Sequence, residues 1–492
     1  MKKLRVLYAT SEAYPLVKTG GLGDVSHALP TALRRLDIDI RILIPGYPQV
    51  LEKLSLVEVY ENLNLFNYSV NILAGTMPDG ITPIYVVDCP ALYLRDGGPY
   101  QNPEGYDWHD NALRFGVLSK VAALFGNHDL LFKPDVIHCN DWQTGLTAAF
   151  LAYSTAPRAR TLMSIHNVAY QGIFGAEMVG LLGLPPESFN MLGLEFYGMM
   201  SFLKAGLYYS DWINTVSPNY AREIQTPAFG HGLDGLLALR HDHLTGILNG
   251  VDIDFWNPEA DRYIFAPYNK SNLVGKRKNA QALRKKLGLS LTKADRSPTG
   301  YKPLLGVVSR LTSQKGLDLF IPIIPEIVNS DEGAQVAILG SGDHELEARL
   351  QQLAELLPGK VSVTFGYDEE LAHQIEAGAD IFIMPSRFEP CGLNQMYSMR
   401  YGTIPVVRRT GGLADTVIDA TPENLEQQGL ATGFVFEKED SRELLQTIQR
   451  TLQAFRDKNI WRKLQQNCMG RDFSWESSAK QYISLYSKLI QK

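Results

Sequence analysis

Short apolar runs alternate with helix-length amphipathic stretches along this chain, and the alternation occurs twice. Residues 4–9 form the first apolar run. A glycine-rich turn follows at 20–23, then Val25, Leu29, Ala32, Leu33 and Leu36 at helical spacing, then a second run at 38–44, which predicts a βαβ unit. Pro30 falls inside that helix and predicts a kink, because proline lacks one backbone donor. Residues 135–138 and 161–165 are further buried-strand candidates, each ending on polar residues where a parallel sheet has its working edge. The second alternation runs through 304–308, 336–339, 361–365, 381–384 and 404–407, with helix-length segments between. Strands alternating with helices predict a parallel sheet covered on both faces, so the expectation is an α/β protein with two doubly wound, Rossmann-like domains.

The length of 492 residues, about three times that of an ordinary domain, agrees with a multidomain chain. Residues 249–300 mix aromatics, prolines and the basic stretch Lys276-Arg277-Lys278, and the hinge is placed at 256–258. The expected domains are 1–257 and 258–472, followed by a closing helix over 473–492. Asp440 and Glu443 read as a capping box for a helix carrying Leu444, Leu445, Ile448, Leu452 and Phe455, and a Tyr/Leu/Ile pattern runs from 482 to 490.

Composition narrows the function classes. A formal charge of −6 supplies no general field for nucleic acid or an anionic membrane, so neither is expected as a partner and any bound anion must be held locally. Cys89, Cys139, Cys391 and Cys468 include no CxxC pair and cannot make a disulfide framework, which points to a reducing compartment. The apolar run at the start is too short for a signal peptide, and no run approaches the roughly 20 residues that span a bilayer, so a cytoplasmic protein is expected.

Candidate chemistry gathers where glycines precede helices. Lys18-Thr19-Gly20-Gly21-Leu22-Gly23-Asp24 joins the first strand to the first helix, where helix amides favour an anion and Lys18 adds a charge; a tight turn with a surface lysine fits equally. It is not a dinucleotide fingerprint, since Ser26 stands where the third glycine belongs and no acid closes the second strand, and it is not a P-loop. Arg310 and Lys315 follow the first strand of the second half, where two cations can neutralise a diphosphate without metal or can simply be solvated. Glu389 lies between a strand and a helix, as substrate carboxylate or as N-cap acid for a helix over 391–401, and Thr410-Gly411-Gly412-Leu413 repeats the glycine-before-helix arrangement. Asp37-Ile38-Asp39, Asp252-Ile253-Asp254 and His241-Asp242-His243 have metal-binding appearance but no second cluster at ligand spacing; all three are read as structural, with no metal or cofactor expected. Tyr14, Tyr100, Tyr106, Trp108, Trp142 and Tyr170 are candidates for stacking on sugar rings, of which two or three are expected to do so.

These segments together carry a resemblance. Lys18–Leu22, Ser164-Ile165-His166-Asn167-Val168-Ala169-Tyr170-Gln171-Gly172, Leu248-Asn249-Gly250-Val251-Asp252, Ser309-Arg310-Leu311 with Gln314-Lys315-Gly316, Glu389-Pro390-Cys391-Gly392-Leu393-Asn394-Gln395 and Thr410–Leu413 resemble, in order and over nearly the whole chain, bacterial glycogen synthases and plant-type starch synthases. The resemblance implies the GT-B fold, two Rossmann-like domains facing across a cleft with the C-terminal helix crossing back to the first. It implies transfer of glucose from ADP-glucose, with retention, to the non-reducing 4-hydroxyl of an α-1,4-glucan. On the same basis Lys18, Arg310 and Lys315 bind the donor diphosphate, with Gly21, Thr410, Gly411 and Gly412 in backbone contact. His166, Asn249, Glu389, Cys391, Gly392 and Leu393 surround the transferred glucose, Thr19, Gly20, Asn167 and Tyr367 complete the substrate-binding set, and Asp141 lies near the acceptor hydroxyl. Related retaining transferases carry a second glutamate eight residues after the first; here that position is Tyr397, so no ribose contact is assigned to it. His166 also reads as a satisfied imidazole at a strand end. Three rivals remain: the same transfer from UDP-glucose, a glucan-binding protein without turnover, and, more distantly, a dinucleotide oxidoreductase.

Overall fold

The first apolar run becomes strand β1 (Arg5–Ala9), and the amphipathic stretch becomes the helix Gly21–Arg35, leading into β2 (Asp39–Pro45) parallel to β1. That helix buries Leu22, Val25, Leu29, Ala32 and Leu33 and accommodates Pro30 within its 15 residues. Next to the proline, Thr31 Oγ1 donates to His27 O at 2.9 Å. The computed structural model describes residues 3–291, 302–330, 333–427 and 429–491. Part of the expected inter-domain stretch, 292–300, lies outside the described residues.

Two compact units divide the chain. The first holds residues up to Gly250 together with those from Trp475 onward; the second runs from Val251 to Ser474. In the first, β3 (Val57–Leu65), β4 (Tyr68–Thr76), β5 (Pro83–Asp88), β6 (Val136–Asn140) and β7 (Arg160–Ile165) follow β2. A small sheet of β8 (Ile173–Phe174), β9 (Glu195–Phe196) and β10 (Met199–Ser201) precedes β11 (Trp212–Thr215) and β12 (Leu244–Gly246). Among the described residues the main sheet has the order β12-β11-β7-β6-β1-β2-β5-β4-β3. It is parallel from β12 to β5 and antiparallel through the β4 and β3 edge. The β3–β4 hairpin has no counterpart in the sequence reading: Val57, Val59, Leu63 and Leu65 alternate with polar residues as a strand does, but this is not the continuous apolar run that marked the parallel strands.

The closing helix, Trp475–Gln491, packs into this first unit. Tyr486 OH meets His138 Nδ1 at 2.8 Å, and Tyr482 OH meets the Asn214 side chain at 2.9 Å, both buried. His138 Nε2 in turn meets Ser164 Oγ at 2.7 Å. Burial holds the His138 imidazole well below its usual range, hence neutral.

The second unit contains β13 (Leu304–Val308), β14 (Gln335–Gly340), β15 (Val361–Phe365), β16 (Ile381–Met384), β17 (Ile404–Arg408) and β18 (Phe434–Phe436), all parallel in the order β15-β14-β13-β16-β17-β18. The helix Ser441–Arg456 buries Leu444, Ile448 and Leu452 as its spacing predicts. Asp440 caps it by accepting from the amides of Arg442 and Glu443, but Glu443 reaches the amides of Glu437 and Lys438 instead of returning to Asp440. Residues 251–257, grouped with the first domain in the sequence reading, sit in the second unit. Arg400 Nε donates to Trp256 O at 2.6 Å and Nη2 to Ile253 O at 2.9 Å. The Trp256 ring is stacked between His373 at 3.8 Å and Tyr397 at 3.9 Å, so the residue replacing a second glutamate anchors this segment.

Candidate active site

In each sheet the chain order reverses beside the first strand of the unit: β1 lies between β6 and β2, and β13 between β16 and β14. Loops leaving the carboxyl ends of such neighbouring strands diverge and open a crevice there. Lys18 to Gly21 follow β1, Asp141 follows β6, Arg310 and Lys315 follow β13, and Glu389 to Leu393 follow β16, whereas His166, Asn249, Tyr367 and Thr410 to Gly412 follow β7, β12, β15 and β17.

After β1, Glu12 organises the glycine-rich loop. It is 2% exposed. Its carboxylate accepts from Thr19 N at 2.5 Å, Thr19 Oγ1 at 2.6 Å, Gly20 N at 3.3 Å and Tyr100 OH at 2.5 Å. The Thr19 and Gly20 amides therefore turn toward the protein's own acid. A side-chain Cβ built at Gly20 or Gly21 would meet nothing within 4 Å, so space lies open over this helix start. Lys18 is exposed and pairs with Asp24 at 2.7 Å. Sequence reading missed Glu12; its only local signal is an acid directly following a buried strand.

At the ends of β6 and β7, Asn140-Asp141 grips His166-Asn167. Asp141 adopts φ 54°, ψ −177°, a backbone conformation costly for a residue with a Cβ. That turn directs its carboxylate to the amide of His166 at 2.7 Å, and the Asn167 amide also donates to it. Burial nonetheless outweighs those amides and pushes Asp141 up to about 7. His166 Nε2 lies 3.0 Å from Asn140 Oδ1, and burial pushes the imidazole down to about 4. A neutral ring and a carboxyl poised near neutrality thus share this edge.

The second unit differs in kind. A cavity of about 190 Å³ is lined by, among others, Arg310, Lys315, Ser386, Glu389, Gly392 and Leu393. Lys315 Nζ pairs with Glu389 Oε2 at 2.5 Å, and Ser386 Oγ supports the same oxygen at 3.1 Å. Glu389 is not an N-cap: the helix begins at Asn394, and the carboxylate is taken by Lys315 and Ser386. Arg310 is exposed, and its guanidinium has no hydrogen-bonding or ionic partner among the described residues. Gly316 (φ 66°) lets the Lys315 loop approach: a Cβ there would stand 2.1 Å from Pro385 O.

Thr410, Gly411 and Gly412 lie against the Glu389 loop. Gly412 N donates to Glu389 O at 3.1 Å, and Cβ atoms at Gly411 and Gly412 would stand 1.8 Å from Glu389 O and 2.0 Å from Cys391 O. These glycines seat the loop carrying Glu389 and Cys391; Cys391 is buried. Asn249 is 7% exposed, and its Oδ1 meets no donor among the described residues. Asn167 Oδ1 accepts from Ala169 N at 3.1 Å. Tyr367 is 79% exposed, its hydroxyl 2.5 Å from Glu369.

Of the aromatic candidates, Trp142 packs among Phe115, Phe174 and Phe202, while Tyr14, Tyr106 and Tyr170 are exposed. The acidic motifs are engaged otherwise: Asp39 with Arg34 and Arg41, Asp37 with Lys3, and Asp252 Oδ1 with the amides of Asp254 and Phe255.

Comparison with known proteins converges on one family. Residues 5–239 match the starch synthase catalytic domain and residues 292–466 the glycosyl transferases group 1 domain. A glycogen synthase of Nitrosospira multiformis is 51% identical over 99% of this chain and 98% of its own, and one of Nitrosomonas eutropha 50% identical over 100% and 97%. Among solved structures, the catalytic domain of starch synthase IV from Arabidopsis thaliana, bound to ADP and acarbose, superposes with a TM-score of 0.85 at 33% identity and full coverage of both chains. A sucrose-phosphate synthase from Thermosynechococcus elongatus, 19% identical with a TM-score of 0.59, shares the fold. Two α/β units, each with its polar residues at the reversal of a parallel sheet, are the architecture of GT-B glycosyltransferases, and with relatives of this identity along its whole length the chain belongs to the glycogen synthase family, enzymes that build glucan from a sugar nucleotide.

Proposed function

We propose that the protein transfers glucose from ADP-glucose to the non-reducing 4-hydroxyl of an α-1,4-glucan, with retention and without metal. The observation that carries the reading is the second-unit cavity, where an unpartnered Arg310 stands with the Lys315–Glu389 pair. A diphosphate needs cations, and a departing nucleoside diphosphate needs them most as its charge develops. Arg310 offers a fixed planar fork for phosphate oxygens. Lys315, held by Glu389, is placed before any ligand arrives; Lys18 would serve as a further cation for a donor phosphate.

His166 and Asn167 would hydrogen-bond the transferred glucose, as would Asn249, whose buried Oδ1 awaits a donor. Glu389, Cys391, Gly392 and Leu393 would line the sugar, and Gly21 and Thr410 to Gly412 the donor phosphates; Thr19 and Gly20, whose amides Glu12 holds, would shape that loop. Tyr367 would face the nucleotide. Asp141, poised near neutrality, would lie by the acceptor hydroxyl. ADP as the nucleotide rests on family membership, and the starch synthase IV relative was solved with ADP and acarbose. Four buried free thiols suit a reducing compartment, and we place the enzyme in the cytoplasm.

Purified protein given maltoheptaose and either ADP-glucose or UDP-glucose, with and without EDTA, tests this. Glucose incorporation from ADP-glucose that survives chelation is the expected result. Preference for UDP-glucose would reassign the donor, and activity lost to EDTA and restored by Mn²⁺ would end the metal-free mechanism. Glucan binding without turnover would leave only a carbohydrate-binding protein.

A further inference from the structure

His166 has two ring nitrogens, and one neighbour decides which carries the proton. Asn140, fully buried at the end of β6, sends its Nδ2 to Ala9 O at 3.0 Å and to His138 O at 3.3 Å. Both partners are carbonyls, so rotating the amide by half a turn would exchange two hydrogen bonds for contacts of oxygen against oxygen. The amide is therefore fixed, with Oδ1 toward His166 Nε2 at 3.0 Å. An amide oxygen only accepts, so Nε2 must carry the hydrogen. In a neutral imidazole the remaining nitrogen, Nδ1, is then an acceptor, and it has no protein partner among the described residues. Asp141 completes the arrangement from the backbone side by holding the His166 amide at 2.7 Å.

We infer that Asn140 is a positioning residue that locks His166 as its Nε2–H tautomer, so that Nδ1 meets a hydroxyl of the transferred sugar as an acceptor. This rests on the placement of His166 against glucose proposed above. A histidine free to change tautomer would offer a sugar hydroxyl either a donor or an acceptor. One locked in place offers only an acceptor, which orients the hydroxyl hydrogen and leaves that oxygen's lone pairs for other donors. Nothing in the His166 segment itself reveals the constraint; it comes from two carbonyls on neighbouring strands acting through a third side chain.

The tautomer is read directly by ¹⁵N-histidine NMR of the whole protein, with the His166 signals identified by their loss in His166→Gln. The expected wild-type pattern is a protonated Nε2 and an unprotonated Nδ1. Asn140→Leu should abolish that fixed pattern and lower kcat about tenfold, the worth of one hydrogen bond to the sugar, with little change in glucan KM. Asn140→Asp keeps an acceptor toward Nε2, and its second oxygen, set against the Ala9 and His138 carbonyls, must carry a proton to stay there; in that protonated form, at the acid end of the pH range, it should retain the tautomer. A wild-type His166 protonated on Nδ1, or an Asn140→Leu protein with tautomer and kcat unchanged, would overturn the inference. The wild-type pattern is read without any Asn140 variant having to fold. A locked tautomer in a protein with no transfer from any sugar nucleotide would instead refute the proposed function.

Discussion

Gly20-Gly21 and Gly411-Gly412 look alike in the sequence, each a glycine pair at a helix start, yet the fold uses them in opposite ways. Over the first pair there is empty space; against the second the protein's own backbone is packed so closely that a Cβ would stand 1.8–2.0 Å from carbonyl oxygens. The surrounding chemistry divides along the same line. The first unit presents groups moved toward neutrality, Asp141 up to about 7 and His166 down to about 4, held by amides and Asn140. The second presents a formal ion pair with an unpartnered guanidinium beside it. Neutral, oriented acceptors suit sugar hydroxyls and cations suit phosphate, so a shared glycine motif does not by itself say what chemistry the fold gathers near it.

The sharpest way to break this contrast is Gly412→Ala. Its Cβ would strike Cys391 backbone atoms at 2.0–2.6 Å, and backbone cannot yield as a side-chain tip can. A loss of about 3 kcal/mol or more is expected, read as a lower denaturant midpoint together with lost transfer. A variant of unchanged stability would show that the second pair, too, borders open space.

Lys315→Ala should reduce kcat by about 10²–10³, because it removes a contact to charge that develops as the diphosphate departs. It also leaves Glu389, 9% exposed at its side chain, without its ammonium, so some loss of stability should accompany the loss of rate. An unchanged kcat would confine the pair to a structural role.

The neutral edge predicts a pH effect. Asp141 is held near 7 against an ordinary 3.8, so between those values the folded protein carries the extra proton and stability falls as pH rises. His166, near 4 against 6.5, does the reverse over pH 4 to 6.5. The two oppose each other in the wild type. In Asp141→Asn only the histidine remains, so stability should rise more steeply between pH 4.5 and 6.5 than in the wild type, measured by urea unfolding. Parallel profiles for the two proteins would place an ordinary ionised carboxylate at Asp141.

Gly21→Ala carries the smallest effect on the fold. With nothing within 4 Å of its Cβ, stability should change by less than about 1 kcal/mol. Transfer should nonetheless fall, since the methyl group would occupy space assigned to the donor. Unaltered transfer would separate this opening from the ligand.

The parallel sheets were legible in the sequence because buried parallel strands read as continuous apolar runs: residues 336–339 lie within β14 and residues 381–384 coincide with β16. The β3–β4 edge was not, since its apolar residues alternate with polar ones and form no continuous run. Lys18, Arg310, Lys315, Glu389 and His166 announced themselves as charged or imidazole groups next to glycines or strand ends. Glu12 and Asn140 did not, because what matters about them is which carbonyls and amides the fold brings to them from distant segments. The packed role of Gly411 and Gly412 was hidden for the same reason.

The return of Trp475–Gln491 to the first unit makes the second unit an insertion within the first. During synthesis the ribosome therefore releases a first sheet that is complete in strands but lacks its last helix, with His138 and Asn214 waiting for the hydroxyls of Tyr486 and Tyr482. The inserted unit has all its residues on the growing chain before the surrounding unit does. The usual amino-to-carboxyl sequence of domain maturation is inverted, and a nascent chain that stalls before residue 475 exposes the face that helix covers to chaperones or to aggregation.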